Sequence, residues 1–66
     1  MMKLKLLRIA NRLTQCELAE LVGVTPKTII KIEKGFHDNV KLGTLKKVAE
    51  VLGTTVQELF FSEEER

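Results

Sequence analysis

The chain has 66 residues, 44% of them hydrophobic and 30% charged, which is the composition of one small globular domain with a thin core. Its single cysteine cannot form an internal disulfide, and no apolar run approaches the roughly 18 residues of a membrane helix. The N-terminal residues also lack the anatomy of a signal peptide. We therefore expect a cytoplasmic protein with no membrane partner.

Charge is distributed unevenly along the chain, although the formal net charge is only +2. Residues 1–48 contain ten Lys or Arg and four Asp or Glu, a balance of +6, whereas residues 49–66 contain one Arg and five Glu, a balance of −4. The basic part is expected to face an anionic partner. We assign residues 1–62 to the domain and residues 63–66 to an acidic tail that points away from that partner.

Five helices are predicted, which makes the domain all-α. The first covers about residues 3–12, where Leu4 and Leu7 are spaced for a buried stripe. The second begins after Thr14, which forms the pattern of a capping box with Glu17. It ends at Gly23, a residue type that adopts the left-handed backbone of a helix end without steric cost.

Similar signals mark the other three helices. Thr25 is predicted to cap the third helix, with Pro26 at its first position, and this helix ends before Gly35. A loop over residues 35–41 follows, and the fifth helix begins with a second capping box from Thr55 to Glu58. The residues that the fourth and fifth helices are expected to bury are Leu42, Leu45, Val48, Ala49, Leu52, Leu59 and Phe60.

The second and third helices are separated by only three residues, so they must cross closely, and the small Ala19 suits such a crossing. At 100° per residue, Ile29 and Ile32 fall on one side of the third helix. Three lysines fall within about 50° of the opposite side; they are Lys27, Lys31 and Lys34. A basic helix fits the major groove of DNA. The alternative is an ordinary solvated helix face that happens to carry lysines.

The order and spacing of these features resemble the lambda-repressor-like (Xre) helix-turn-helix family. The similarity covers almost the whole chain. Each short motif is weak evidence by itself, and the resemblance depends on all of them occurring in the right order and at the right spacing. The residues that carry it are Leu13-Thr14-Gln15, Glu17-Leu18-Ala19, Gly23-Val24, Thr28-Ile29, Ile32-Glu33, Gly35, Leu45, Ala49-Glu50, Leu52-Gly53 and Glu58-Leu59-Phe60.

The resemblance implies a five-helix domain that binds double-stranded DNA, with separate residues for phosphates and for bases. Ile30, where the family usually has a small polar residue, is either half-buried or placed to touch a thymine methyl. The loop over residues 36–40 lacks the Arg and Pro that the family usually has there, so the family's phosphate contacts do not all carry over to this loop. The implied base contacts are Pro26, Lys27, Thr28, Ile30 and Lys31. The implied phosphate contacts are Thr14, Gln15, Lys34, Phe36, Lys41 and Thr44, including backbone N–H groups after Gly35.

Other residues receive structural interpretations. The resemblance implies that Arg8 and Glu33 form a buried ion pair between the first and third helices, a structural role that we favour over direct contact of Arg8 with DNA. Cys16, although in the first turn of a helix, is interpreted as an ordinary exposed residue rather than a redox switch. His37 is interpreted as a polar loop residue that can touch a phosphate, since one histidine without a cysteine cluster does not make a metal site.

Some apolar residues are left over after the core is filled. Val51 and Phe61 are predicted to point away from the core, where they either pack under the tail or, as the family resemblance favours, form a dimer interface. Leu6 and Ile9, with Met2, form an additional stripe on the first helix that could serve instead.

These observations predict a dimeric transcription regulator, a repressor rather than an activator, that occupies a palindromic operator. It is expected to be no enzyme, to need no cofactor or metal, and to take no small-molecule effector. Two alternatives stay open: an antitoxin or restriction-modification controller of the same class, and a helical interaction module that no longer binds DNA. The lysine face argues against the second, because protein-binding surfaces favour aromatic anchors.

Overall fold

The computed structural model describes residues 2–61, which form five α-helices and no strand. The all-α prediction and its helix count are confirmed. Residue 62, where the predicted domain ends, and the acidic tail at 63–66 lie outside the described residues. The helices are α1 Met2–Ala10, α2 Gln15–Val22, α3 Pro26–Glu33, α4 Leu42–Val51 and α5 Val56–Phe60.

Side-chain capping differs among the three helices for which it was predicted. The capping box of α2 is complete: the Thr14 hydroxyl accepts from Glu17 N at 3.0 Å, and the Glu17 carboxylate accepts from Thr14 N at 2.9 Å. In α5 the Thr55 hydroxyl accepts from the backbone N–H of Glu58, which is one half of the predicted box.

Thr25 is the N-cap residue of α3, as predicted, but its side chain forms no capping hydrogen bond. The Thr25 hydroxyl caps no backbone group and lies 3.3 Å from the Thr28 hydroxyl. The backbone carbonyl of Thr25 already accepts from Thr28 N at 3.0 Å, so the N–H that the cap would take has a partner.

Two left-handed residues define the ends of the first two helices. Gly23 has φ of 92°, and the N–H groups of Gly23 and Val24 both donate to the Ala19 carbonyl. Arg12 has φ of 60°, which reverses the chain after α1 and allows Leu13 N to donate to the Arg8 carbonyl. Helix α1 therefore ends at Ala10, two residues before the predicted position.

The core lies where α2 packs against both α3 and α4, while α1 packs on α3 and α5 packs on α4. Ala19 is buried at the crossing of the helices, as its small size predicts. The largest completely buried side chains are Leu4, Leu18, Ile29, Ile32 and Val48.

Two predicted orientations are wrong. Leu42 is 55% exposed and is the first residue of α4. Helical side chains lean toward the N-terminus of their helix, so one at the first position has no preceding turn to cover. Val51, expected to point outward, is half-buried and packs against the core at the end of α4, where α5 folds back. Within residues 2–61 no helix combines the length and apolar character needed to cross a membrane.

Two glycines of this fold should respond oppositely to alanine. We expect Gly23→Ala to lower the free energy of unfolding by about 1 kcal/mol, because a Cβ disfavours left-handed backbone. Gly43→Ala should raise it by up to about 1 kcal/mol, since Gly43 is helical and its added Cβ would meet no atom within 4 Å. Chemical denaturation of the two variants measures both. Equal changes in the two variants would show that the turn between α2 and α3 does not require the left-handed conformation.

Candidate nucleic-acid interface

Helix α3 has one buried face and one basic face. Ile29 and Ile32 are completely buried against the core, and this fixes the rotation of the helix about its axis. Lys27, Lys31 and Lys34 are all exposed, as the helical periodicity predicts. Lys27 and Lys31 lie within α3 and Lys34 follows it with helical backbone, so at about 1.5 Å per residue their Cα atoms fall within about 11 Å along the helix axis.

The other predicted base contacts border this surface. Pro26 is exposed at the first position of α3, and Thr28 and Ile30 are half-buried on either side of the lysine face. Of the two interpretations of Ile30, the structure shows the half-buried one. Contact of its remaining exposed surface with a thymine methyl stays a prediction.

Helix α1 is joined to α3 through the predicted ion pair, which is present. Arg8 Nε donates to Glu33 Oε2 at 2.6 Å, and the two side chains are only 11% and 8% exposed. Arg8 Nη1 also donates to the Leu13 carbonyl at 2.8 Å. The guanidinium therefore contacts both α3 and the segment that leads into α2.

Gln15 has a partner that the sequence did not predict. Its amide nitrogen Nε2 donates to Glu33 Oε1 at 2.9 Å, so Glu33 accepts from both Arg8 and Gln15. The two residues are 18 positions apart and share no helical periodicity, so no local pattern could have revealed the contact. Thr14, the neighbouring predicted phosphate contact, is exposed and uses its hydroxyl oxygen in the cap of α2.

The loop after α3 differs from the predicted phosphate clamp. The backbone N–H of Phe36 donates to the Lys31 carbonyl at 3.0 Å, so this donor closes the end of α3 and is not available to a phosphate. The Phe36 side chain is 64% exposed. Lys41 is exposed at the start of α4, and Thr44 is half-buried in its first turn.

His37 is more than the polar loop residue that the sequence suggested. It is half-buried, and its ring centroid lies 5.2 Å from that of the core residue Phe60. Its Nδ1 atom is buried and has no hydrogen-bond partner among the described residues. The loop that follows α3 is thus held against α5 by an aromatic contact.

No group of three or more His, Cys, Asp or Glu side chains within residues 2–61 is arranged to hold a metal ion. Cys16 is a free, exposed thiol. The exposed donors on the outward surface of α3 are the ammonium groups of Lys27, Lys31 and Lys34.

Comparison with known proteins places the chain in a family. The helix-turn-helix family model matches residues 4–59, and the chain belongs to the lambda-repressor-like (Xre) helix-turn-helix family. It is 41% identical to an uncharacterized HTH-type transcriptional regulator of Methanocaldococcus jannaschii over 96% of this chain and 94% of that protein. An uncharacterized HTH-type transcriptional regulator of Archaeoglobus fulgidus is 36% identical over 96% of this chain and 87% of that protein.

Solved structures give the same fold. Hydroxypropylphosphonic acid epoxidase from S. wedmorenis is similar with a TM-score of 0.76 and 35% identity, over 86% of this chain and 30% of that one. Apo-HppE has the same TM-score and identity, with 32% of its chain covered. The chain thus spans about a third of the length of these structures. The fold, the family and the basic helix together define a DNA-binding transcriptional regulator.

The buried ion pair should carry a large part of the stability. We expect Arg8→Ala to lower the free energy of unfolding by about 3–5 kcal/mol, because it leaves the Glu33 carboxylate buried without its cation. Lys5→Ala, an exposed position on the same helix, is the matched control and should change stability by less than about 0.5 kcal/mol. Thermal and urea denaturation followed by circular dichroism compare the two. Equal stability of both variants would contradict a structural role for the pair.

Proposed function

We propose that this regulator is a repressor that acts as a dimer on a palindromic operator, with α3 in the major groove. The observation that carries the proposal is the rotation of α3: burial of Ile29 and Ile32 turns three lysines outward on one surface. A regulator that occupies an operator in this way blocks polymerase sterically. The names of the two archaeal relatives as transcriptional regulators support the same class.

Two sets of contacts share the work of binding. Residues around the N-termini of α2 and α4 and the end of α3 contact phosphates, which sets affinity and register without reading sequence. Residues on the outward surface of α3 contact base edges, and a lysine ammonium can donate to guanine O6 or N7. The phosphate set is Thr14, Gln15, Lys34, Lys41 and Thr44; the base set is Pro26, Lys27, Thr28, Ile30 and Lys31.

Dimer formation centres on Phe61. One recognition helix covers few base pairs, so two copies about 34 Å apart give the contact area that a single genomic site requires. Phe61 is 49% exposed at the end of α5, whereas much of Val51 is covered by the core of its own subunit. The stripe of Met2, Leu6 and Ile9 on α1 is the competing surface.

The proposal includes no enzymatic activity, cofactor or small-molecule effector, and it places the protein in the cytoplasm. Regulation then follows from concentration or from a partner protein. The similarity to part of an epoxidase structure concerns the helical fold, and the epoxidase chemistry belongs to that protein.

The two contact sets should be separable by mutation. We expect Lys27→Ala and Lys31→Ala to reduce discrimination between operator variants, with a loss of about 1–3 kcal/mol concentrated on one or two base pairs. Lys34→Ala should weaken all sequences about equally and reduce the slope of log affinity against log salt by about 0.9. Affinities of each variant for a panel of single-substituted operators, selected first from random duplexes, measure both effects.

Lys46→Ala is the control for this series, because Lys46 is exposed on α4, outside both contact sets. Uniform losses for all three α3 lysines would show that the base contacts lie elsewhere. Absence of duplex binding by the wild type at low salt would favour the interaction module over the repressor.

The dimer surface gives a further prediction. We expect Phe61→Glu to yield a folded monomer whose operator affinity is about tenfold lower or more, because the second half-site no longer adds to binding. Leu6→Glu is the matched variant, since Leu6 is also apolar and 58% exposed. Sedimentation velocity at tens of micromolar, with and without operator, distinguishes the surfaces. A wild-type protein that is monomeric under both conditions would contradict the dimer. If Leu6→Glu abolishes the dimer and Phe61→Glu does not, the interface lies on α1.

A further inference from the structure

The Glu33 carboxylate links the buried ion pair to the predicted phosphate contact at Gln15. Its two oxygens accept from different elements: Oε2 from Arg8 on α1 at 2.6 Å, and Oε1 from Gln15 at the start of α2 at 2.9 Å. A carboxylate in an ion pair is an acceptor only, so the amide group of Gln15 must present its nitrogen to it. Glu33 therefore determines which way the Gln15 amide is turned.

This orientation matters for an anionic ligand. A glutamine amide has two N–H donors on one nitrogen and an acceptor oxygen on the other side, and only the donors attract a phosphate. One N–H of Gln15 is bonded to Glu33, and the second diverges from it on the same half-buried side chain. The position is the first residue of α2, where the helix N-terminus also favours an anion.

Arg8 fixes both the carboxylate and the backbone beside Gln15. Besides its bond to Glu33, its Nη1 donates to the Leu13 carbonyl at 2.8 Å, while Leu13 N donates to the Arg8 carbonyl at 3.1 Å. Leu13 is two residues before Gln15, so the segment leading into α2 is held at both its N–H and its carbonyl group.

We propose that Arg8 and Glu33 are positioning residues for Gln15: they hold its amide in the orientation that donates to a DNA phosphate. The proposal rests on the proposed function, in which Gln15 is a phosphate contact. A side chain that is ordered before binding avoids the loss of rotamer freedom that binding otherwise costs. We expect this ordering to contribute about two- to tenfold in DNA affinity.

The first test needs no substitution, because the chain contains two glutamines, Gln15 and Gln57. Gln57 is exposed on α5 and serves as an internal control. In NMR relaxation measurements on the free protein, the side-chain amide of Gln15 should have an order parameter close to that of rigid backbone, and that of Gln57 should be low. A Gln15 amide as mobile as that of Gln57 would overturn the proposal.

The second test separates positioning from stability. In Arg8→Met/Glu33→Met the whole ion pair is replaced by apolar side chains, a change that buried pairs often tolerate, whereas removing one partner leaves an unpaired charge. Gln15→Ala is then made in the wild type and in this background. Duplex affinity is measured for all four proteins at a temperature where circular dichroism shows each to be folded.

The expected results are specific to positioning. The double variant should bind DNA about two- to tenfold more weakly than the wild type, and Gln15→Ala should cost less in that background than in the wild type. The same loss from Gln15→Ala in both backgrounds would overturn the proposal, because a purely structural pair leaves the Gln15 contact unchanged. Absence of duplex binding by the wild type is a different result, which contradicts the proposed function itself. If the double variant does not fold, the relaxation measurement decides.

Discussion

The ion pair between Arg8 and Glu33 is the constraint on which the rest of the structure depends. Two charged side chains that are 11% and 8% exposed have lost most of their hydration, and in a 66-residue domain the apolar core offers little stability to spare. Each charge compensates the other, and hydrogen bonds from Gln15 to Glu33 and from Arg8 to the Leu13 carbonyl add to this compensation. The pair forms only when α1 is docked on α3. Helix α1 is therefore held on α3 by an ion pair as well as by apolar packing.

Helix α3 contributes side chains both to the core and to the basic surface. Its buried isoleucines contribute to the core, and because a helix is rigid over two turns, the same burial fixes where its lysines lie. The lysines therefore face outward without any contact of their own to the rest of the protein having to hold the helix in that rotation. The buried and the basic side chains of α3 consequently lie on opposite faces, so the lysines can change with little effect on the core.

The sequence predicted those features that depend on residues close together in the chain. Apolar periodicity identified the five helices, and the Thr14 and Glu17 spacing identified the complete capping box. Two orientations were predicted wrongly for different reasons. Leu42 is exposed because it is the first residue of its helix, a boundary that periodicity locates poorly, whereas Val51 is half-buried because tertiary neighbours in the core cover it. The bond from Gln15 to Glu33 was missed because it joins two helices, α2 and α3, at residues that are 18 positions apart. Its only sequence signal was the family resemblance, which paired Glu33 with Arg8 alone.

The contact between His37 and Phe60 links two parts of the molecule that are usually considered separately. The loop after α3 contacts the final turn of α5 through these two rings, and Phe61, which is partly exposed, follows Phe60 directly in the chain. A substitution that repacks the Phe60 ring would therefore disturb both the loop after α3 and the last turn of α5, because one ring contact joins them.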